Sequence, residues 1–151
     1  MTVRVVQLSG LDAYDLIYPD HLAKLSDMAQ ESMHRAMRNS SHVWIGFDGS
    51  FALVAYGLIP PTLLSDRAYL WLYTTEHIQS HIFSLIRHSQ RAIEEMLREY
   101  PLIVGHGVVG ADRSLRWLRW LGAEFGPPQG NLLPFTIKAS SQWPQVSAQS
   151  A

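Results

Sequence analysis

The stretch VWIGFDGSFALVAYGLIPP, residues Val43 to Pro61, does most to limit what this chain can fold into. Two apolar runs rich in β-branched and aromatic residues flank Asp48-Gly49, and that dipeptide supplies the positive φ angles a tight hairpin requires. Pro60-Pro61 closes the second run, because neither proline can donate a ladder hydrogen bond. The chain has 151 residues, 47% of them apolar and 17% charged, so one sizeable core is expected around this hairpin. At such a length folding hides roughly 70% of the unfolded surface.

The flanking segments alternate between strand and helix patterns. Val3 to Leu8 reads as a strand, broken by Ser9-Gly10 before a short helix over Leu11 to Ile17. Tyr18-Pro19-Asp20 is a stop followed by a start. Asp20 is expected to cap a helix in which Leu22, Leu25, Met28, Ala29, Met33, Ala36 and Met37 recur at three- and four-residue steps, ending near Asn39-Ser40-Ser41. After the hairpin, RAYLWLYTT (Arg67 to Thr75) predicts a strand with large residues on both faces, as near the middle of a sheet.

Apolar residues at Ile82, Phe83, Ile86, Ile93, Met96, Leu97 and Tyr100 predict a long amphipathic helix over about Ser80 to Tyr100, with Arg91/Glu95 and Glu94/Arg98 as solvent-side pairs. Pro101 ends it, and LIVGHGVV predicts a buried strand. Asp112 is expected to cap a short helix, DRSLRWLRWL, with Gly122 as its left-handed stop. A loop, GPPQGN, then precedes LLPFTIK, a final strand carrying Pro134 near its start or at an edge. Residues 1–138 form the expected single domain, and 139–151, ASSQWPQVSAQSA, an expected flexible tail.

Several function classes are disfavoured by composition. A formal net charge of -1 gives no global field toward nucleic acid or an anionic membrane. Cysteine is absent, which removes disulfides, thiolate nucleophiles and thiolate metal sites, and a reducing cytosol is the simpler assumption. No apolar segment approaches the roughly 18 residues that span a bilayer, and the N-terminus MTVRVVQLSG lacks the pattern of a secretory leader.

The order of strand, two helices, three strands, long helix, strand, short helix and two strands resembles the GNAT acyltransferase fold, an α/β domain with a mixed, centrally splayed sheet flanked by helices. VWIGFDGSFALVAYGLI is similar to that family's second and third strands, and RSLRWLRWLGAEF to its last short helix closing on Gly-Phe. A narrower resemblance, by size and by RWLRWLGAEF followed by PFTIK, is to the GNAT-like internal virion proteins of short-tailed bacteriophages. It implies a virion or assembly protein, made in the bacterial host cytoplasm and carried in the particle, that contacts other virion or host proteins.

The resemblance also indicates where chemistry would sit. GNAT enzymes hold the pyrophosphate of acyl-coenzyme A on a glycine-containing loop between a strand and the long helix, where backbone N–H groups and the helix dipole meet it. The matching stretch here, TTEHIQSHIF, contains no glycine, and Glu76 adds a negative charge. Thr74, Thr75, Ser80 and His81 are the candidate cofactor contacts. His77 and His81 stand four apart, but the pattern is not H-E-x-x-H and lacks an obvious third ligand, so no metal is expected. The place of the family's usual tyrosine acid is Leu118, which cannot carry a proton; Tyr73 and Glu76 are the nearest spare acid–base groups.

On the short helix Arg113, Arg116 and Arg119 gather into a stripe beside Trp120, able to grip phosphate or an acidic partner surface. Trp143, in the tail, is a candidate anchor on a partner or on the domain itself. Three readings follow. The leading one is a structural or assembly protein with a degenerate GNAT scaffold, no cofactor and no acyl transfer; the competing one is an active N-acetyltransferase using acetyl-coenzyme A. A third is a fold that binds coenzyme without turnover.

Overall fold

The computed structural model describes residues 3–62, 67–75, 77–78 and 82–139. Glu76, Ser80, His81 and Trp143, all singled out in the sequence, lie outside the described residues. The chain divides into two compact units, Met1–Pro61 with Tyr69–Leu85, and Thr62–Ala68 with Ile86–Ala151.

The first unit holds strands β1 (Val3–Leu8), β2 (His42–Asp48), β3 (Phe51–Ile59) and, from Tyr69 onward, β4 (Ala68–Thr74), hydrogen-bonded in that order and antiparallel throughout. Between β1 and β2 come helices α1 (Gly10–Ile17) and α2 (Asp27–Asn39). The predicted hairpin is present, with one correction. Asp48 pairs with Phe51 as the last strand residue, and only Gly49, at φ 59°, has a positive φ. A glycine leading a two-residue loop is the arrangement of a turn whose twist matches the strands.

One residue of β3 is extra. Gly46 faces Val54 while Phe47 faces Ala52, so Leu53 bulges out of the β2–β3 ladder. Strand alternation gives the sheet two faces. Ile45, Ala55, Trp71 and Val43 lie on the face that packs with Ala13, Ile17, Leu22 and Met37. Burying each such large apolar side chain contributes about 1.5–3 kcal/mol. On the other face Leu85 approaches so closely that a Cβ on Gly46 would stand 2.7 Å from its Cδ2.

The two helices differ from expectation at their starts. Ser9 caps α1 by accepting from the Asp12 amide at 3.2 Å. Asp20 does not cap α2: a 3-10 turn at Leu22–Lys24 intervenes, and Ser26 caps the helix through the Ala29 amide at 3.2 Å. Leu22 is completely buried, which requires the connection to tuck inward before the helix restarts. Gln30 fixes that connection: its amide donates to the Leu25 carbonyl at 2.9 Å and to Ala23 at 3.3 Å, and its oxygen accepts from Tyr18 Oη at 3.1 Å. Met28, expected inward, is 82% exposed, because the helix begins with its first turn turned outward.

Trp71 anchors α2 to β4. Its indole lies flat against Gly57, where a Cβ would come within 2.5 Å of Cζ2, and its Nε1 donates to Ser40 Oγ at 2.7 Å. Ser40 in turn donates to the Ala36 carbonyl at 2.7 Å, so the helix end and the strand share one short hydrogen-bond chain.

The second unit carries most of helix α3 (Ile82–Glu99), then β5 (Leu102–Val108), α4 (Asp112–Trp120), β6 (Glu124–Phe125) and β7 (Leu132–Lys138). Its strands run β5-β7-β6, both pairings antiparallel. Pro134 is the third residue of β7, and its carbonyl accepts from the Gly126 amide at 2.9 Å. Ala111, with no side-chain bond, is the N-cap of α4, and Asp112 sits in the first turn where it favours the helix dipole instead. Gly122 has φ 95° and ends the helix as predicted, with the Ala123 amide donating to the Leu118 carbonyl at 3.0 Å.

Candidate functional site

The end of β4 is held by one threonine. Past the bulge, the Thr75 amide donates to the Leu53 carbonyl at 3.0 Å. Its hydroxyl donates to the Ala52 carbonyl at 2.7 Å, with Leu53 O at 3.3 Å, and accepts from the His77 amide at 3.3 Å. Thr75 is buried, so a hydroxyl there is stable only with such partners. The side chain that the sequence offered as a cofactor contact therefore locks the chain as it leaves the sheet, and it places His77.

His77 stands at one side of a cleft of about 450 Å³ within this unit. The α1–α2 connection contributes Leu16, Pro19, Asp20, His21 and Lys24; the β2–β3 hairpin contributes Phe47, Ser50, Phe51 and Ala52. The volume lies in the range of small-molecule sites, roughly 300–1,000 Å³. Its aromatic members touch: the Phe51 and His77 rings lie 4.9 Å apart, and His21 meets His77 edge-on at 6.1 Å. Phe47 closes the floor, with the Arg4 guanidinium 5.1 Å from its ring centroid. Among the described residues, Asp20 and Lys24 are the formal charges of this lining, one of each sign.

Tyr73 and Thr74 are both half-buried on β4. Tyr73 packs against the same apolar cluster that includes Phe47 and Ala52, which places it on the cleft's face of the sheet. Farther along that face, burial pushes the Tyr69 phenol above its ordinary value. His21, Lys24, Phe47 and Phe51 were not legible as site residues. The available signal was topological: the Tyr18-Pro19-Asp20 break and the hairpin turn fall at the same end of the antiparallel sheet.

The remaining sequence candidates lie in the second unit. Arg116, Arg119 and Trp120 are exposed on α4, and the Arg119 guanidinium stacks 5.4 Å from the Phe125 ring centroid. The side chain of Arg113 lies outside those described. Leu115, Leu118 and Leu121 face inward as predicted, joined by Trp117, whose buried Nε1 has no hydrogen-bond partner among the described residues. Leu118 is 2% exposed and near Gly107, a core residue where the resemblance puts an acid. Among the described residues no group of three or more His, Asp or Glu is placed to hold a metal, and no helix is long and apolar enough to cross a membrane.

No protein-family model matches the chain, and no curated protein sequence matches it. Solved structures do. The IAA acetyltransferase from Bacillus cereus is similar with a TM-score of 0.64 at 11% identity, covering 91% of this chain and 99% of that one. Spermidine N-acetyltransferase from Vibrio cholerae, a dodecamer, gives 0.60 at 12% identity over 99% and 98%. The Campylobacter jejuni N-acetyltransferase PseH in complex with acetyl coenzyme A gives 0.58 at 10% identity over 91% and 99%. Across nearly its whole length, the chain has the α/β fold of the GNAT acetyltransferases.

Proposed function

We propose that this chain is an N-acetyltransferase that takes the acetyl group from acetyl-coenzyme A and passes it to an amine. The observation that carries the reading is the full-length likeness to N-acetyltransferases, one of them solved with acetyl coenzyme A. The virion role implied by the narrower sequence resemblance gains no support from these likenesses, and the acetyltransferase reading replaces it.

The local chemistry supports donor binding at the β4–α3 junction. Helix α3 has 18 residues and no acid in its first turn, so the partial positive charge of its leading amides is not cancelled there. Thr74, at the end of β4, and the first amides of α3 take the place of the glycine loop, and Thr75 fixes the end of β4 beside Thr74. In the reaction the amine nitrogen bonds to the acetyl carbon, the carbon–sulfur bond breaks, and the proton lost by nitrogen is balanced by one gained at sulfur. Tyr73, on the cleft's face of β4, is the candidate acid for that sulfur, since Leu118 has no proton to give.

Isothermal titration with acetyl-coenzyme A tests the reading directly. Micromolar binding, with free thiol released when amines are added, is the expected result; silence at millimolar donor overturns it. The buried Leu118 favours one second reading, a fold that binds the coenzyme without turnover. Binding without any acetylated product distinguishes it.

A further inference from the structure

We infer that the cleft between the α1–α2 connection and the β2–β3 hairpin selects the acceptor, and that it fits a small amine bearing one aromatic or apolar side and one carboxylate, not a polyamine. The inference rests on the acetyltransferase reading for the word acceptor, but the cleft's preference can be measured without it.

Charge is the first constraint on the acceptor. A polyamine carries several ammonium groups spaced along a flexible chain, and it is held where several carboxylates face it. Among the described residues of this lining Asp20 is the one carboxylate, and Lys24, on the same connection, opposes a second positive charge. An amine with a single carboxylate matches the same pair: the anionic group toward Lys24 and the nitrogen toward Asp20 and the imidazoles of His21 and His77.

Shape and surface give the second half. Phe51 is 57% exposed and Leu16 51%, large apolar surfaces left open at the cleft. They sit beside Phe47 and the touching rings of Phe51, His77 and His21, an aromatic wall that accepts a flat or apolar group edge-on or stacked. A polyamine's methylene chain would cover that wall poorly, and each of its ammonium groups would lose water beside it.

The wall is also fixed in place. Gln30 bonds the connection that carries His21 and Lys24, and Thr75 bonds the His77 amide to the hairpin that carries Phe51. Both sides are thus held before any ligand arrives, which favours selection among small ligands by fit.

The test uses the full chain with L-phenylalanine and spermidine as probes. Ring resonances of His21 and His77 are followed by NMR during each titration without donor, and thiol release is followed with acetyl-coenzyme A present. L-Phenylalanine is expected to shift both rings and to be acetylated. Phe51→Ala should raise the acceptor KM about tenfold and leave the KM for acetyl-coenzyme A unchanged. Lys24→Glu should weaken phenylalanine about fivefold while improving spermidine. Phe51 and Lys24 are exposed, so both variants are expected to fold.

Turnover of spermidine with no ring shift from phenylalanine overturns the inference and leaves the acetyltransferase reading intact. Ring shifts from phenylalanine without acetyl-coenzyme A binding support the cleft's preference and overturn the acetyltransferase reading instead. No shift from either probe, or an acceptor KM unmoved in Phe51→Ala, overturns the inference.

Discussion

The two units use helices on antiparallel strands to opposite ends. In the first, α1 and α2 cover one face of the sheet yet leave a cleft at the hairpin end, where His21, His77, Asp20 and Lys24 line a concavity. In the second, α4 buries Leu115, Trp117, Leu118 and Leu121 and turns Arg116 and Arg119 to solvent. Acid–base groups matter chemically when they converge on an enclosed space, and among the described residues they do so in the first unit. The second reads as scaffold, with its chemistry on the outside.

The sharpest way to break that contrast is to press on the glycines that let a helix approach its neighbour closely. Gly10→Ala should destabilise most, about 3 kcal/mol, because its Cβ would stand 1.8 Å from the Met37 carbonyl oxygen and backbone cannot yield as a side chain can. Urea denaturation would register it as a lower midpoint at unchanged slope. An unchanged midpoint would mean that α1 and α2 are not packed as described.

Thr75→Val comes next. It removes the hydroxyl bonds to Ala52 and to the His77 amide, for about 2 kcal/mol, with Thr75→Ser retaining most of the stability. Equal stability of the Val and Ser variants in thermal melts would remove Thr75 as the lock at the end of β4.

Smaller effects belong to the second unit. Gly107→Ala should lose about 1 kcal/mol, since its Cβ would meet the Leu115 Cδ2 at 2.6 Å, the movable end of a side chain. A loss as large as that of Gly10→Ala would make the second unit the more tightly packed. Least of all, Arg119→Ala should change stability by about 0.5 kcal/mol, the usual worth of an exposed cation on an aromatic ring. A chemical-denaturation difference well above that would show that the Arg stripe bears structural weight.

Much of the fold was legible because periodicity and punctuation agreed. The hairpin, the long amphipathic helix and the left-handed stop at Gly122 each follow from local steric rules that distant contacts had no reason to override. The start of α2 was not legible, because Asp20 and Ser26 are both good caps and the choice was made by burying Leu22, a tertiary event. The site was less legible still. Phe51 and His21 lie 30 positions apart in the chain, and only tertiary packing brings both to His77. No spacing rule in a single sequence carries that information.

The bulge at Leu53 has a consequence for engineering. Side-chain facing along a strand flips with each inserted residue, so a hairpin of altered length would normally scramble everything downstream. Here the extra residue, Leu53, has no partner in the β2 ladder, and its carbonyl is taken by Thr75, the residue that follows β4. The tip also has room, with no atom within 4 Å of a Cβ built at Gly49. Phe51 and its neighbours can therefore be exchanged as a cassette, with Leu53 and Thr75 as the seam that keeps Val54 to Ile59 in step with β4.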